Sequence, residues 1–420
     1  FKLLIDFGVM SLTNNILSPK DGTPIIVPTQ SEGGAFGGGD DGASPGLPMS
    51  SFDLNMFSLS YNLNEYVVNE YDLNSFSGTT GLVDIKYVQL SNSMYAYGDE
   101  LVVIDAYIGQ YITTVALPGN TQSIEVEFNP INNYLYCLSK NSIYVVDPLI
   151  NTLINTISLS NDAFDIGMNP INGDVYVTYD NIPYIDIWEY NNLTNIPNHN
   201  LTTPSPLDTK TGKMVFNDFE GDMYITTNAD LVVRIDGLTR TFQTSYGVTG
   251  LTHSIFYEPV NEGIYVYGSA SLWKIDNGAT QSIALPSQAF NDVIFNNITG
   301  EMNVSDSSTN FTRMNLDTDF YLQTGVSNYG YLMINQFDGD VYLSSQTYDN
   351  ILVLDGVDGT VKYTAPVSAQ TTKLVYNPER KSIWAIQPSI NSVVELDVEL
   401  GGVINLLPPT YDTIEDNQYG

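Results

Sequence analysis

The chain has 420 residues, of which 43% are hydrophobic and 12% aromatic, and its 48 acidic against 14 basic residues give a formal net charge of −34. A surface of this sign repels phosphate backbones and anionic lipid headgroups, so the composition argues against nucleic acid and anionic membranes as partners. The one cysteine excludes a disulfide framework and a multi-cysteine metal site, and no apolar run is long enough for membrane insertion.

The first 50 residues differ in composition from the rest of the chain. Residues 31–46 are rich in glycine and typical of a flexible linker, whereas residues 24–28 form a short apolar segment. We interpret residues 1–50 as an extended arm, which either docks on a neighbouring subunit by strand addition or is a disordered terminus. Residues 51–81 are predicted to add one or two strands that pack on the following repeats, capping the first repeat or completing the last.

Two columns of residues repeat in step between residues 82 and 410, at intervals of roughly 41 residues. The first is an aromatic position in the middle of a strand: Tyr95, Tyr136, Tyr176, Tyr224, Tyr265, Asn303, Tyr342 and Trp384. The second is an acidic position at the end of a later strand: Asp105, Asp147, Glu189, Asp236, Asp276, Asp317, Asp355 and Asp397. Two columns that keep the same spacing indicate eight copies of one structural unit.

Each unit is predicted to be a four-stranded antiparallel sheet. A short apolar strand ends in Asn and is followed by a turn with glycine four residues later, as in Asn169-Pro-Ile-Asn-Gly173. Glycine permits the positive φ of a tight turn, and the Asn side chain bonds its own backbone. An alternating strand such as residues 175–179 comes next, and two further strands complete the unit.

Each predicted sheet has apolar residues on both faces, so the sheets have to pack against one another. Closing the array into a ring covers the two terminal faces. The sequence therefore predicts an all-β fold with a single β-propeller of eight four-stranded blades over residues 82–410. Seven blades are the alternative, and residues 411–420 are left as a C-terminal tail.

The unit around Tyr176 resembles the YVTN family of β-propeller repeats. Tyr176-Val-Thr178, preceded by the turn at residues 169–174, is close to the family signature, and Tyr224-Ile-Thr-Thr-Asn228 is a variant of it. The resemblance covers about residues 82–410 and is weakest in the unit of Asn303. It implies a propeller fold and, often, an extracytoplasmic or surface location, but no particular activity.

No residue is assigned to a catalytic, cofactor-binding or metal site. Cys137 lies in an apolar strand pattern and is interpreted as a buried, inert thiol. His199 and His253 lie beside no supporting motif, and His199 falls in a long polar loop at residues 191–206 that is interpreted as a tolerated insertion rather than a recognition loop. The Asp-rich segments 315–319 and 355–359 are interpreted as structural turns rather than calcium sites.

Two functions remain open. We favour a non-enzymatic structural or interaction module of an extracellular assembly, at a cell surface or on a virion. Its N-terminal arm would dock it to other protein subunits, with glycans as a further class of ligand and no cofactor. The alternative is a calcium-dependent, lactonase- or hydrolase-like enzyme with carboxylates at the mouth of the channel. The candidate acids for that alternative, interpreted as not sharing one repeat position, are Asp84, Glu125, Glu127, Asp165 and Asp292.

Overall fold

A computed structural model of the protein divides the chain into two units, residues 66–400 and residues 1–65 with 401–420. The structure describes residues 4–6, 9–11 and 67–397, apart from short gaps. These gaps are residues 76–79, 121, 181, 195, 203–210, 228–229, 250–251, 260–261, 269–271, 277, 284–289, 307–310, 316–319, 327–328 and 346. In the first unit, strands β1 (Leu4–Asp6) and β2 (Val9–Ser11) form a hairpin, and the apolar segment 24–28 lies outside the described residues.

The second unit contains eight four-stranded antiparallel sheets, which confirms the prediction of eight blades rather than seven. In each blade the strands follow one another from the innermost, a, to the outermost, d. Blades I to IV comprise β4 (Asp84–Val88), β5 (Ser93–Tyr97), β6 (Leu101–Asp105) and β7 (Tyr111–Val115); β8 (Ser123–Asn129), β9 (Tyr134–Ser139), β10 (Ser142–Asp147) and β11 (Thr152–Ser158); β12 (Ala163–Met168), β13 (Val175–Tyr179), β14 (Tyr184–Trp188) and β15 (His199–Thr202); and β16 (Thr211–Phe216), β17 (Met223–Thr227), β18 (Leu231–Asp236) and β19 (Thr241–Gly247).

Blades V to VII repeat the same order, and blade VIII takes its strand d from the other end of the chain. These blades comprise β20 (Thr252–Glu258), β21 (Gly263–Gly268), β22 (Leu272–Asp276) and β23 (Ala279–Ile283); β24 (Phe290–Asn296), β25 (Glu301–Asp306), β26 (Phe311–Asn315) and β27 (Phe320–Thr324); β28 (Tyr329–Ile334), β29 (Val341–Ser345), β30 (Asn350–Leu354) and β31 (Val361–Pro366); and β32 (Thr372–Asn377), β33 (Ser382–Gln387), β34 (Ser392–Asp397) and β3 (Val67–Asp72). Between residues 67 and 397, the helix described is one 3-10 turn at Leu73–Ser75.

The hydrophobic core consists of eight clusters, one at each interface between neighbouring blades. This arrangement arises because successive side chains of a strand point to opposite faces, and both faces of every blade are apolar. At the interface of blades I and II, for example, Tyr95 packs with Cys137, and both are fully buried. Burial raises the pKa of the Cys137 thiol well above its usual range, as expected of an inert thiol.

In four blades the Asn at the end of strand a shapes its own turn and also holds the next blade. In blade III, Asn169 Oδ1 accepts the N–H of Ile171 at 2.9 Å, while its Nδ2 donates to the carbonyl of Gly221 in blade IV at 3.1 Å. Gly173 takes the predicted positive φ, 75°. The bond recurs between other blades: Asn129 donates to Gly173, Asn296 to Gly339 and Asn377 to Ala106, at 2.7 to 2.8 Å. The Asn377 bond joins blade VIII to blade I.

The acidic column forms turns, as the sequence predicts. Asp355 Oδ1 accepts the N–H of Val357 at 2.8 Å, and Asp105, Asp147 and Asp236 accept the N–H two residues later in the same way. These contacts support the interpretation of residues 355–359 as a structural turn. Asp317 and Asp319 lie outside the described residues.

Blade VI has Asn303 in place of the tyrosine of the aromatic column, and the neighbouring Arg313 makes the hydrogen bond that the tyrosine makes elsewhere. In blade III, Tyr176 donates its hydroxyl to the carbonyl of Gly237, which follows the acidic column of blade IV, at 3.5 Å. In blade VI, Arg313 pairs across the sheet with Asn303, and its Nη2 donates to the equivalent carbonyl, that of Gly356 in blade VII, at 3.0 Å. The blade with the weakest repeat pattern therefore keeps the same link to its neighbour.

The ring closes through β3, which pairs along its whole length with β34, from Val67 opposite Asp397 to Asp72 opposite Ser392. Of the two alternatives for residues 51–81, this strand thus completes the last blade. Tyr71 stacks on Trp384 with ring centroids 5.1 Å apart, and its hydroxyl donates to the fully buried Glu395 at 2.8 Å. The described part of the propeller ends at Asp397, and residues 398–410 lie outside the described residues.

We predict that Tyr71→Ala lowers the free energy of unfolding by about 3 kcal/mol, because it removes a large stacked side chain and the partner of a buried carboxylate. Tyr71→Phe keeps the stacking and should lose only about 1 to 2 kcal/mol. Urea denaturation followed by tryptophan fluorescence measures both. Tyr107→Ala, at a position that is 64% exposed, is the matched control. Wild-type behaviour of Tyr71→Ala would show that β3 contributes little to closure.

Candidate functional site

One repeat position of strand a brings most of the charged side chains of the inner strands together. It is the residue two places before the partner of the aromatic column; in blade I, for example, Asp84 precedes Lys86, the partner of Tyr95. We call these eight residues the channel ring. In blade order they are Asp84, Glu125, Asp165, Lys213, Ser254, Asp292, Tyr331 and Lys373.

The channel ring corrects the interpretation that the candidate acids share no repeat position. Asp84, Glu125, Asp165 and Asp292 do share one, and only Glu127 lies elsewhere, opposite Tyr136. The sequence contains a signal for it, since the ring residue lies 11 places before the aromatic column in every blade. The residue type hides this signal, because the position is occupied by Asp, Glu, Lys, Ser or Tyr in different blades.

Two of the ring carboxylates bond backbone groups on both oxygens. Asp84 accepts the N–H of Ile85 and that of Val126 in blade II, each at 2.9 Å. Asp292 accepts the N–H of Val293 and that of Leu332 in blade VII, again at 2.9 Å. These side chains therefore fix the inner strand of one blade to the inner strand of the next.

Burial determines how these two acids titrate. It raises the pKa of Asp84 to about 6, although Lys373 opposes the shift, and it raises the pKa of Asp292 to about 6 against the two N–H donors of that carboxylate. Both groups bind protons at a higher pH in the folded chain than in the unfolded one.

A second group joins three blades around one lysine. Lys213 of blade IV contacts Glu125 of blade II at 3.0 Å and lies in still closer contact with Asp165 of blade III. Asp165 Oδ2 also accepts the N–H of Met214 at 2.9 Å. Asp165 is nearly inaccessible, whereas the Lys213 side chain is 34% exposed. The three side chains thus form a compact charged group whose lysine is partly open to solvent.

The remaining charged groups surround a cavity of about 430 Å³ between the inner strands of blades VII, VIII, I and II. Lys86 pairs there with Glu127 at 2.7 Å. Lys373, whose φ is +41°, has its Nζ 5.4 Å from the centre of the Tyr331 ring. Among the described residues, no group of three or more histidine, cysteine, aspartate or glutamate side chains is arranged to hold a metal ion.

The structure describes the side chain of His199 and the backbone of His253. His199 begins β15, so the outer strand of blade III takes up part of the predicted loop at residues 191–206. Its Nε2 lies 3.4 Å from Glu189 Oε1. His253 lies in β20, next to Ser254. In the part of the chain that the structure describes, no helix is long and apolar enough to cross a membrane.

Solved structures with a similar fold include Sqt1 of Saccharomyces cerevisiae, with a TM-score of 0.67, 9% identity, and coverage of 80% of this chain and 99% of that chain. The computationally designed protein Ika8 gives a TM-score of 0.62 at 10% identity, covering 76% and 97%. The β-propeller domain of Cps50 (Swd1) of Myceliophteria thermophila gives 0.54 at 9% identity, covering 79% and 100%. No family model matches the chain, and no curated protein matches it. At these identities the likeness shows the β-propeller fold alone.

We predict that Asp292 makes the folded protein more stable as the pH falls from about 7 to about 4. The unfolded carboxyl binds its proton near pH 3.8 and the folded one near pH 6, so the folded state holds more protons in this window. The difference corresponds to up to about 3 kcal/mol. In Asp292→Asn this part of the pH dependence should be absent. Thermal unfolding of both proteins at pH 7.5, 6 and 4.5 measures it, and a constant difference between them across this range would refute the assignment.

We also predict that calcium leaves the melting temperature unchanged, because both oxygens of Asp84 and of Asp292 already accept backbone hydrogen bonds. Differential scanning calorimetry with millimolar calcium and with excess chelator tests this. A higher melting temperature in calcium that is lost in Asp84→Asn would instead support the calcium-dependent alternative.

Proposed function

We propose that this chain is a non-enzymatic interaction module of an extracellular assembly, a cell-surface structure or a virion appendage, docked to other protein subunits through its N-terminal arm. Its blades are then YVTN-type repeats used as a scaffold. The proposal is supported by the positions of its exposed apolar side chains and of the arm's attachment point.

Exposed apolar residues recur at the turns between strands a and b and between strands c and d. Fourteen of the 20 exposed large hydrophobic side chains among the described residues lie there, with 38 to 76% of their surface exposed. They are Leu90, Ile131, Ile171, Phe219, Ile298 and Phe337 in the first set of turns and Tyr107, Ile108, Leu149, Ile150, Tyr190, Ile196, Leu238 and Val357 in the second.

All these turns lie on one side of the ring, because strands a and c run towards that side in every antiparallel blade. We call it the turn face. The turns between strands b and c lie on the opposite side. Ile131 and Ile171 also contact the turns of the next blades, at Gly173 and Gly221. Phe219 remains 73% exposed and Phe337 67% exposed.

The N-terminal segment joins the propeller at the turn face. Val67, the first residue of β3, lies opposite Asp397, at the end of a strand c, and β3 then runs towards the other side. The strand β3 therefore begins on the side of the ring that carries the exposed apolar turns. This position of Val67 is the observation that carries the proposal.

The chemistry of the turn face indicates what kind of protein it would bind. The acidic column lies in the same turns, and the whole chain carries a net charge of −34. The complementary surface is that of a protein subunit with basic side chains among apolar ones. Repulsion by the acidic residues would also keep two turn faces of this chain apart.

We predict that Phe219→Ser and deletion of residues 1–50 each release the chain from its assembly without lowering its melting temperature, since Phe219 is 73% exposed and residues 1–50 belong to a different unit from residues 66–400. Each tagged variant is expressed in the source organism. The extracellular fraction is then sedimented, and the position of the tagged chain is measured. The wild type should sediment with larger particles, and both variants should sediment as single chains.

Ile390→Ser is the matched control, because Ile390 is 40% exposed in a turn between strands b and c, on the opposite side. It should sediment like the wild type. Equal sedimentation of all four proteins, or sedimentation of the wild type as a single chain, would refute docking through the arm and the turn face.

A further inference from the structure

Lys213 is held between the carboxylates of Asp165 and Glu125. The arrangement places an amine nucleophile next to a carboxyl carbon that it could attack, with a second carboxylate close enough to carry protons. The Lys213 Nζ contacts Oδ1 of Asp165 and lies 3.0 Å from Oε2 of Glu125, and the Met214 N–H donates to the other Asp165 oxygen at 2.9 Å. The other ion pair of the inner strands, Lys86 with Glu127, shows a contact to one carboxylate only. The cluster thus has two features that a simple ion pair lacks, a second carboxylate on the amine and a backbone donor on the carboxyl.

The surroundings favour different protonation states for the two acids. The Asp165 side chain is 4% exposed, and burial raises its pKa well above its usual range although Lys213 opposes the shift. Burial acts in the same direction on Glu125, but Lys213, a hydrogen bond with Asp165 and Lys373 together outweigh it and hold the pKa of Glu125 at about 2. The ring of Phe164 lies 5.9 Å from the lysine Nζ and adds an aromatic wall. A neutral carboxyl and an ionised carboxylate therefore face the same lysine, which is an ammonium because the two acids raise its pKa against the effect of burial.

We propose that Lys213 and Asp165 condense to an amide, a covalent cross-link between blades III and IV, with Glu125 as the catalytic acid and base. The bond would join Asp165 to Lys213, and the long loop of blade III, residues 191–206, lies between them in the chain. Amide formation between a free carboxyl and an amine normally needs the carboxyl to be activated as a better leaving group. Here the reacting groups are already in contact, and this positioning takes the place of that activation.

The reaction needs no oxidant or co-reactant. The reaction proceeds from the minor state in which Glu125 has taken a proton from the Lys213 ammonium, and in that state the freed electron pair of Nζ attacks Cγ of the protonated Asp165. Electrons move to Oδ2, where the Met214 N–H stabilises the developing charge. Glu125 gives its proton to the departing Oδ1 hydroxyl, so the Cγ–Oδ1 bond breaks and water leaves. Glu125 then takes the remaining proton from the nitrogen and releases it to solvent. The products are one amide, one water molecule and one proton.

The test is the mass of the full chain, purified folded and then measured after denaturation by electrospray mass spectrometry. We expect the mass of the sequence less one water. Trypsin should then fail to cleave after Lys213 and should yield residues 141–210 joined to residues 211–234 as one branched species. A folded chain with the full sequence mass, or a water loss that fragmentation places elsewhere, would overturn the proposal.

Variants separate the roles of the three residues. Lys213→Arg keeps a positive charge but has no primary amine, and Glu125→Gln keeps the shape but cannot accept the proton, so both should show the full sequence mass. Lys86→Arg, in the neighbouring ion pair, should keep the water loss. If Glu125→Gln does not fold, the wild type and Lys213→Arg decide. Loss of one water in Lys213→Arg would also overturn the assignment.

Discussion

Every blade of this protein has two apolar faces, and this constraint determines the rest of the fold. A single four-stranded sheet can cover neither face by itself, so each blade needs two neighbours, and the first and last blades can find theirs only in each other. The eight hydrophobic clusters follow from this requirement. β3 completes the last sheet, and Trp384 lies in the cluster that joins blade VIII to blade I.

Polar side chains give the ring the specificity that apolar packing lacks. Hydrophobic contact is not directional, whereas a hydrogen bond to a particular N–H or carbonyl fixes one strand against the next. Asp84 and Asp292 supply such bonds at one end of strand a, and Asn169 and Asn377 at the other. The buried carboxylates of Asp84 and Asp292 are therefore already used to hold neighbouring blades together. For this reason we propose an interaction module rather than an enzyme.

The sequence was sufficient to predict the features that depend on neighbouring residues. The Asn and Gly of the first turn, the Asp of the last turn and the number of blades all follow from local backbone requirements that repeat. The channel ring was not predicted, because its position keeps a constant spacing but no constant residue type: it holds an acid in blade III, at Asp165, but a lysine in blade IV, at Lys213. The contacts of Lys213 with two other blades, and the use of Arg313 beside Asn303, depend on the spatial arrangement and leave no local pattern in the sequence.

The closure by β3 also determines the order in which the chain can be completed. Tyr71 and its partner Glu395 are 324 residues apart, so on a ribosome the first strand of the propeller to be made has to wait until nearly the whole propeller has emerged. Until then the nascent chain exposes an unpaired strand edge and an uncovered apolar face, both of which favour association with other chains. A chain that stops before β34 keeps both hazards permanently. Among the described strands, β34 is thus the one whose pairing with β3 removes the open strand edge and covers the apolar face.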